Sequence, residues 1–359
     1  MSKRASRTTG HDEVDAAIRT VLDTLGPGTN RHLVAECLAT VALLAMEDHD
    51  KLDLKITSAA LAEMRRAFGV FRPYRDKQKI TMFGSARTRP DDPMYAQARA
   101  CAARIAEAGW MVVTGAGPGI MAAGMEGAGV DLSMGVNVRL PFEQSANAFI
   151  ESDPKLVTMK YFFTRKLMLI KESDGYVVLP GGFGTLDESF ELLTLLQTGK
   201  AEPAPVVLLD VPGGTYFEGW SRFVEEEVVK RDLVGRVDLS LYRVTDSVDV
   251  AADEILGFYR SYSSLRYVGN RLVLRLKVRP VPAEVADLDT TFDDICVPGQ
   301  GGFELVSPSP EEVAENDSLD LHRLSFPFDR LQLGRLRQLI DHLNHLPSVV
   351  VTSPHEVRE

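Results

Sequence analysis

Between His49 and His322 the chain carries no histidine. A central region without an imidazole supplies neither a Ser–His–Asp relay nor a His-ligated metal centre from its own residues. Cysteine is nearly as scarce. Cys37, Cys101 and Cys296 form no C-x-x-C pair and no even framework, so they read as buried structural thiols in a reducing cytoplasm. Lys3, Arg4 and Arg7 are not followed by the apolar core of a signal peptide, and the most apolar early run, Leu38 to Met46, is far too short to span a bilayer. A cytoplasmic protein without a membrane partner is expected. No GxxxxGK[ST] occurs, which excludes a P-loop nucleotidase. Excess positive charge is missing too: a net charge of −11 and a pI near 5.3 argue against nucleic-acid binding by phosphate neutralisation.

What is present is ordinary globular material. Hydrophobic residues make up 45% and charged residues 25% of 359 positions, enough for one large α/β domain with appendages or for two domains. Three helical stripes come first: Val14 to Leu25, Leu33 to Ala45, and a third after Ser58 through Leu61, Met64 and Phe68, closed by Pro73. Residues 1–12 read as a disordered tail. Strands and helices then alternate. The strands fall at Lys79–Ala86, Trp110–Thr114, Met134–Val138, Tyr176–Leu179, Val206–Leu209 and Leu241–Val244. The helices between them fall at Asp92–Ala108, Ile120–Ala128, Tyr161–Glu172, Thr185–Thr198, Tyr216–Lys230 and Val248–Tyr259. This alternation predicts an α/β fold: a doubly wound, Rossmann-like parallel sheet with ligands at the carboxyl ends of its strands. From about Ser261 the character changes. Tyr267 to Val278 alternates like one strand, Ala283 to Pro310 is acidic and rich in Gly and Pro, and an amphipathic helix runs from about Leu331 to Leu346. The expected organisation is a helical N-terminal extension (1–78), the Rossmann-like domain (79–260) and a small C-terminal α+β appendage (261–359).

One stretch stands out, Gly175 to Lys200. An apolar strand leads through Pro180 into Gly181-Gly182-Phe183-Gly184, and Thr185 opens an amphipathic pattern of Leu186, Phe190, Leu193 and Leu196. A strand feeding a glycine bend and a helix N-terminus presents unpaired N–H groups to an anion. Glu188 is the oddity, because a carboxylate beside such a site repels a phosphate. Thr185-x-x-Glu188 fits a capping box, with Glu188 reaching back to the Thr185 N–H. It equally fits a pocket-facing carboxylate, joined by Glu191 on the same helix face.

Two more glycine bends end strands, at Gly84-Ser85 and at Gly115-Ala116-Gly117-Pro118-Gly119. The second satisfies G-x-G, but Ile120 stands where a dinucleotide fingerprint wants a small residue. The next strand also ends Val136-Asn137-Val138-Arg139, without an acid for a ribose. A shared nucleotide or sugar-phosphate site therefore fits better than NAD. Arg165 and Lys166 open the helix before the key strand, either on a solvated face or, given Phe162, Phe163, Leu167 and Met168 around them, with Arg165 projecting into a pocket.

Together, Pro180 to Glu188 (PGGFGTLDE), the upstream Arg165-Lys166, Phe83-Gly84-Ser85 and Gly-x-Gly-Pro-Gly-Ile-Met at 115–121 resemble the LONELY GUY (LOG) family. These are nucleoside 5′-monophosphate phosphoribohydrolases, including cytokinin-activating enzymes, once mislabelled lysine decarboxylases. The likeness covers about residues 79–260, and the extensions resemble those of the longer bacterial members. It implies Glu188 and Arg165 as catalytic residues. It also implies Gly181, Gly182, Gly184 and Thr185 around the 5′-phosphate, with Gly84, Ser85, Gly117, Gly119 and Lys166 as further substrate contacts. The implied substrate is AMP or a cytokinin riboside monophosphate, with no cofactor and no metal, and the implied assembly is a dimer or larger homo-oligomer. Ala116 replaces a common third glycine, and Ala122-Ala123 stand where an acid often follows Met121, which leaves base preference open. A non-catalytic nucleotide or cofactor binder of the same fold is the alternative; a DNA-binding relative is disfavoured by the acidic balance.

Overall fold

The computed structural model describes residues 8–28, 30–139 and 146–352, the last two by backbone alone. The N-terminal basic residues Lys3, Arg4 and Arg7 lie outside the described residues. By their internal contacts the chain divides into two units, residues 1–65 and 66–359.

The first unit is helical: α1 (Asp12–Leu25), α2 (Arg31–Met46) and most of α3 (Lys51–Phe71). The third helix starts earlier than its apolar stripe suggested, at Lys51. The Asp50 carboxylate accepts the N–H groups of Leu52 and Asp53, an N-terminal cap that carries no hydrophobic signal. Part of the expected tail is also structured: Thr9 is buried and bonds to Asp15 through both its N–H (2.9 Å) and its hydroxyl (2.7 Å). These helices leave Leu25, Leu33, Val41, Leu52 and Leu61 exposed, and so is Cys37, against the expectation of a buried thiol.

The second unit is built on a seven-stranded sheet of β1 (Lys79–Phe83), β2 (Met111–Thr114), β3 (Ser133–Val138), β4 (Leu156–Met159), β5 (Gly175–Val178), β6 (Val206–Leu209) and β7 (Arg243–Thr245). The order is β4-β3-β2-β1-β5-β6-β7 and every pairing is parallel. The central strands β1, β2, β5 and β6 are buried along their length because both faces are covered. Ile80, Met82 and Val177 pack under α4 (Pro93–Glu107), α5 (Ile120–Ala128) and α9 (Val248–Gly257). Phe83, Tyr176 and Val178, one residue out of phase, pack under α6 (Phe162–Lys171), α7 (Phe183–Gln197) and α8 (Tyr216–Phe223). The chain leaves β1 toward β4 on one side and returns to the other side at β5. The crevice of this sheet therefore lies between the carboxyl ends of β1 and β5.

Several elements differ from their sequence readings. The edge strand β4, four residues long with alternating exposure, was not anticipated. The helix expected to Lys230 is regular only to Phe223, then widens into a π turn (Val224–Val228) and tightens into a 3₁₀ turn (Val229–Arg231).

After α9 a second, antiparallel sheet follows: β8 (Tyr262–Val268), β9 (Arg271–Leu276), β10 (Glu304–Val306) and β11 (His322–Phe326), in the order β10-β11-β9-β8. The stretch expected as one strand is a hairpin, broken at Gly269-Asn270 with Gly269 at φ +63°. Helix α10 (Pro282–Thr291) lies in the acidic stretch rich in Gly and Pro, α11 (Pro310–Glu315) follows β10, and α12 (Leu333–Asn344) covers the sheet before α13 (Pro347–Thr352). The Asn344 side chain joins α12 to the start of β8, its Oδ1 accepting the N–H groups of Ser261 (2.8 Å) and Tyr262 (2.9 Å).

Candidate active site

The three glycine bends meet at the switch point. Ser85 N–H donates to the Pro180 carbonyl (3.3 Å), joining the ends of β1 and β5. The Ser85 carbonyl in turn accepts the Ile120 N–H (3.0 Å), joining β1 to the bend before α5. That approach demands glycine at 119, where φ is +68° and a Cβ would stand 2.3 Å from the Ser85 oxygen. The bends that carry Gly84-Ser85, Gly117 to Gly119 and Gly181 to Thr185 thus meet at one end of the sheet.

Helix α7 begins two residues before the expected start. Gly182 is its N-cap and the first intrahelical bond runs from Leu186 N–H to the Gly182 carbonyl (3.1 Å). The N–H groups of Gly182, Phe183, Gly184 and Thr185 are therefore left without intrahelical acceptors, on a turn where Gly182 and Gly184 are exposed. Thr185 sits inside the first turn, so the capping-box reading of Thr185 and Glu188 is not realised. Its hydroxyl lies over Gly181, 2.2 Å from where a Cβ would be.

Glu188 points at Arg165. Its Oε1 is 3.2 Å from Arg165 Nη1, with about 10% of either side chain exposed. Arg165 is fixed by α6 and by two other contacts. Its Nε donates to the Val136 carbonyl on β3 (2.9 Å), and its Nη2 lies against Gly115, 1.9 Å from the place of a Cβ. Glycine at 115 is thus a requirement of the arginine, which sequence spacing alone did not single out. Burial drives the Glu188 carboxyl up to about 7, against the opposing pull of Arg165 and Lys166. Such a group takes and gives a proton near neutral pH.

Lys166 points elsewhere. Its ammonium pairs with Asp187 (3.0 Å) and Glu191 (2.6 Å), so Glu191 neutralises Lys166 rather than joining Glu188 in a pocket. Although burial opposes the charge, the two carboxylates hold Lys166 protonated and raise its pKa. A lysine held this way is unsuited to Schiff-base chemistry, which needs the free amine.

Asn147 was not anticipated either. Its N–H donates to the Ala116 carbonyl (2.8 Å) and its Nδ2 to the Gly117 carbonyl (2.9 Å), clamping the second bend from behind. Ala116 adopts φ +58° with its methyl buried beside Ala146 and Ile150, which explains how a non-glycine occupies that position.

Residues 113–255 match the family model described as "Possible lysine decarboxylase". A probable cytokinin riboside 5′-monophosphate phosphoribohydrolase of Arabidopsis thaliana is 41% identical over 64 residues, 18% of this chain and 30% of its own length. One of Oryza sativa subsp. japonica is 39% identical over 147 residues, 41% of this chain and 50% of its own. The central region is similar to LONELY GUY family proteins. The chain spans half or less of the length of these two relatives. Among solved structures, the molybdenum cofactor carrier protein of Chlamydomonas reinhardtii is similar at 24% identity and a TM-score of 0.35, covering 49% of this chain and 94% of that one. In this central domain Glu188 and Arg165 face each other at the switch point, and Lys166 does not join them.

Proposed function

We propose that the central domain hydrolyses the N-glycosidic bond of a nucleoside 5′-monophosphate, releasing the free base and ribose 5-phosphate. The observation that carries this reading is the buried Arg165–Glu188 pair beside the open N-terminus of α7, with the Glu188 carboxyl raised to about 7. The unpaired N–H groups of α7 receive the 5′-phosphate and place C1′ of the ribose toward Glu188. Cleavage passes through an oxocarbenium-like state, by analogy with O-glycosides. Ionised Glu188 stabilises the positive charge developing at C1′ and accepts the proton of the attacking water, for which a pKa near 7 is well matched. Arg165 remains protonated throughout, so it holds the substrate or the departing base rather than donating a proton. This chemistry requires no metal or cofactor.

The substrate type is AMP or a cytokinin riboside monophosphate; the names of the curated relatives support the second. Exposed Phe162, Phe163, Phe183 and Phe190 on α6 and α7 support a homo-oligomer. The change from a parallel to an antiparallel sheet at residues 245–262 supports a functional domain of 79–260, flanked by an extension (1–78) and an appendage (261–359). Incubation with a panel of nucleoside 5′-monophosphates should release free base and ribose 5-phosphate from at least one. Tight binding to one of them with no release from any would replace the enzyme by a nucleotide binder.

A further inference from the structure

The peptide between Gly181 and Gly182 is tied from outside the cleft. The Tyr216 hydroxyl donates to the Gly181 carbonyl at 2.8 Å. Tyr216 is the first residue of α8, and its place is set by the buried Asp210 carboxylate that follows β6. Asp210 Oδ2 accepts the N–H groups of Tyr216 (3.0 Å) and Phe217 (3.3 Å), while Oδ1 accepts that of Val211 (2.8 Å). The tyrosine ring is also braced edge-on by Phe217, with centroids 5.0 Å apart.

A peptide flanked by two glycines rotates at little steric cost, because neither residue has a Cβ to resist the new φ and ψ. Rotation matters here more than elsewhere in the loop. In a trans peptide the N–H points opposite to the C=O, so one orientation offers a phosphate the Gly182 donor and the flipped one offers it the Gly181 oxygen. The first attracts an anion and the second repels it.

We propose that Tyr216 is a positioning residue for the 5′-phosphate: by holding the Gly181 carbonyl it directs the Gly182 N–H toward the anion, together with those of Phe183, Gly184 and Thr185. This rests on the phosphoribohydrolase reading above. Because Tyr216 acts through the Gly181 carbonyl, its effect is confined to substrates that carry the phosphate.

Tyr216→Phe removes the hydroxyl and keeps the ring. The wild-type protein and the variant are compared with 5′-AMP, with adenosine and with inorganic phosphate as inhibitor, after thermal melts establish that both are folded. The expected result is a KM for 5′-AMP raised about three- to tenfold in the variant, the worth of one hydrogen bond, with kcat within about twofold. Inhibition by phosphate should weaken by the same factor and kcat/KM for adenosine should not move. An unchanged KM, or a fall in kcat alone, would overturn the proposal. If the wild type releases base from no monophosphate, the hydrolase reading fails on its own account. Calorimetric titration with inorganic phosphate then decides for Tyr216: weaker binding by the variant supports the tie and equal binding refutes it.

Discussion

Glu188 and Glu312, two glutamates of the second unit with little exposure, both face arginines, and their carboxyls are displaced in opposite directions. Glu188 has one such contact, at 3.2 Å, and rises to about 7. Glu312, on α11, is at least as buried but accepts from Arg323 Nε (3.1 Å), Arg275 Nε (3.1 Å) and the Ser309 N–H (2.8 Å). Burial raises the Glu312 carboxyl as well, yet these donors together outweigh it and bring it down to about 2. Asp317 pairs with Arg275 and with Arg266, which also faces Glu312, so positive and negative groups there are nearly matched. The difference teaches that burial beside an arginine does not by itself mark a reactive acid. Donors aimed at the ionised form bring Glu312 down, whereas at Glu188 burial outweighs the single arginine.

Removing the satisfied carboxylate should have the larger effect on stability. Glu312→Gln leaves Arg323 buried without its counter-charge and Arg275 with Asp317 alone, and urea denaturation at pH 7 should show a loss of about 3–5 kcal/mol. Because its folded pKa lies below the ordinary 4.5, the contribution of Glu312 is present above pH 4.5 and lost as pH falls toward 2. Glu188 has the opposite sign. Its folded pKa lies above 4.5, so its contribution is fully present below pH 4.5, declines as pH rises toward 7, and is gone above it. Glu188→Gln does not titrate. The variant should gain stability relative to wild type between pH 5 and pH 8, by up to about 3 kcal/mol. A difference that stays flat with pH would show that Glu188 is as well satisfied as Glu312.

The rate should follow the same ionisation: kcat/KM for the preferred monophosphate should rise about tenfold per pH unit below 7 and level off above it. A fall through pH 7 would instead make Glu188 a proton donor. Lys166→Ala should have the smallest effect, under about 1 kcal/mol in thermal or urea unfolding, because Asp187 and Glu191 are both partly exposed partners.

Much of this was legible in the sequence, for identifiable reasons. The buried strands β1, β2, β5 and β6 are continuous apolar runs, and the doubly wound order follows from their alternation with amphipathic helices. The glycine bends revealed the carboxyl-edge site because the close approaches at Gly115 and Gly119 exclude any other residue. Short or half-exposed strands were not legible: β4, β10 and β11 owe their pairing to neighbours distant in sequence. Local spacing also misled at Thr185-x-x-Glu188, where a capping box and a cleft carboxylate need the same residue types. Only the start of α7 at Phe183 and the direction of Arg165 separate the two. Asn147 and Tyr216 gave no signal because each acts by binding a carbonyl of a loop far along the chain.

The most direct test of the central claim is Glu188→Gln assayed beside wild type with the monophosphate that wild type hydrolyses best. Binding should persist, measured by calorimetry, while release of free base falls at least about 100-fold. A variant that binds and still hydrolyses at the wild-type rate would show that the raised carboxyl of Glu188 is not the reacting group.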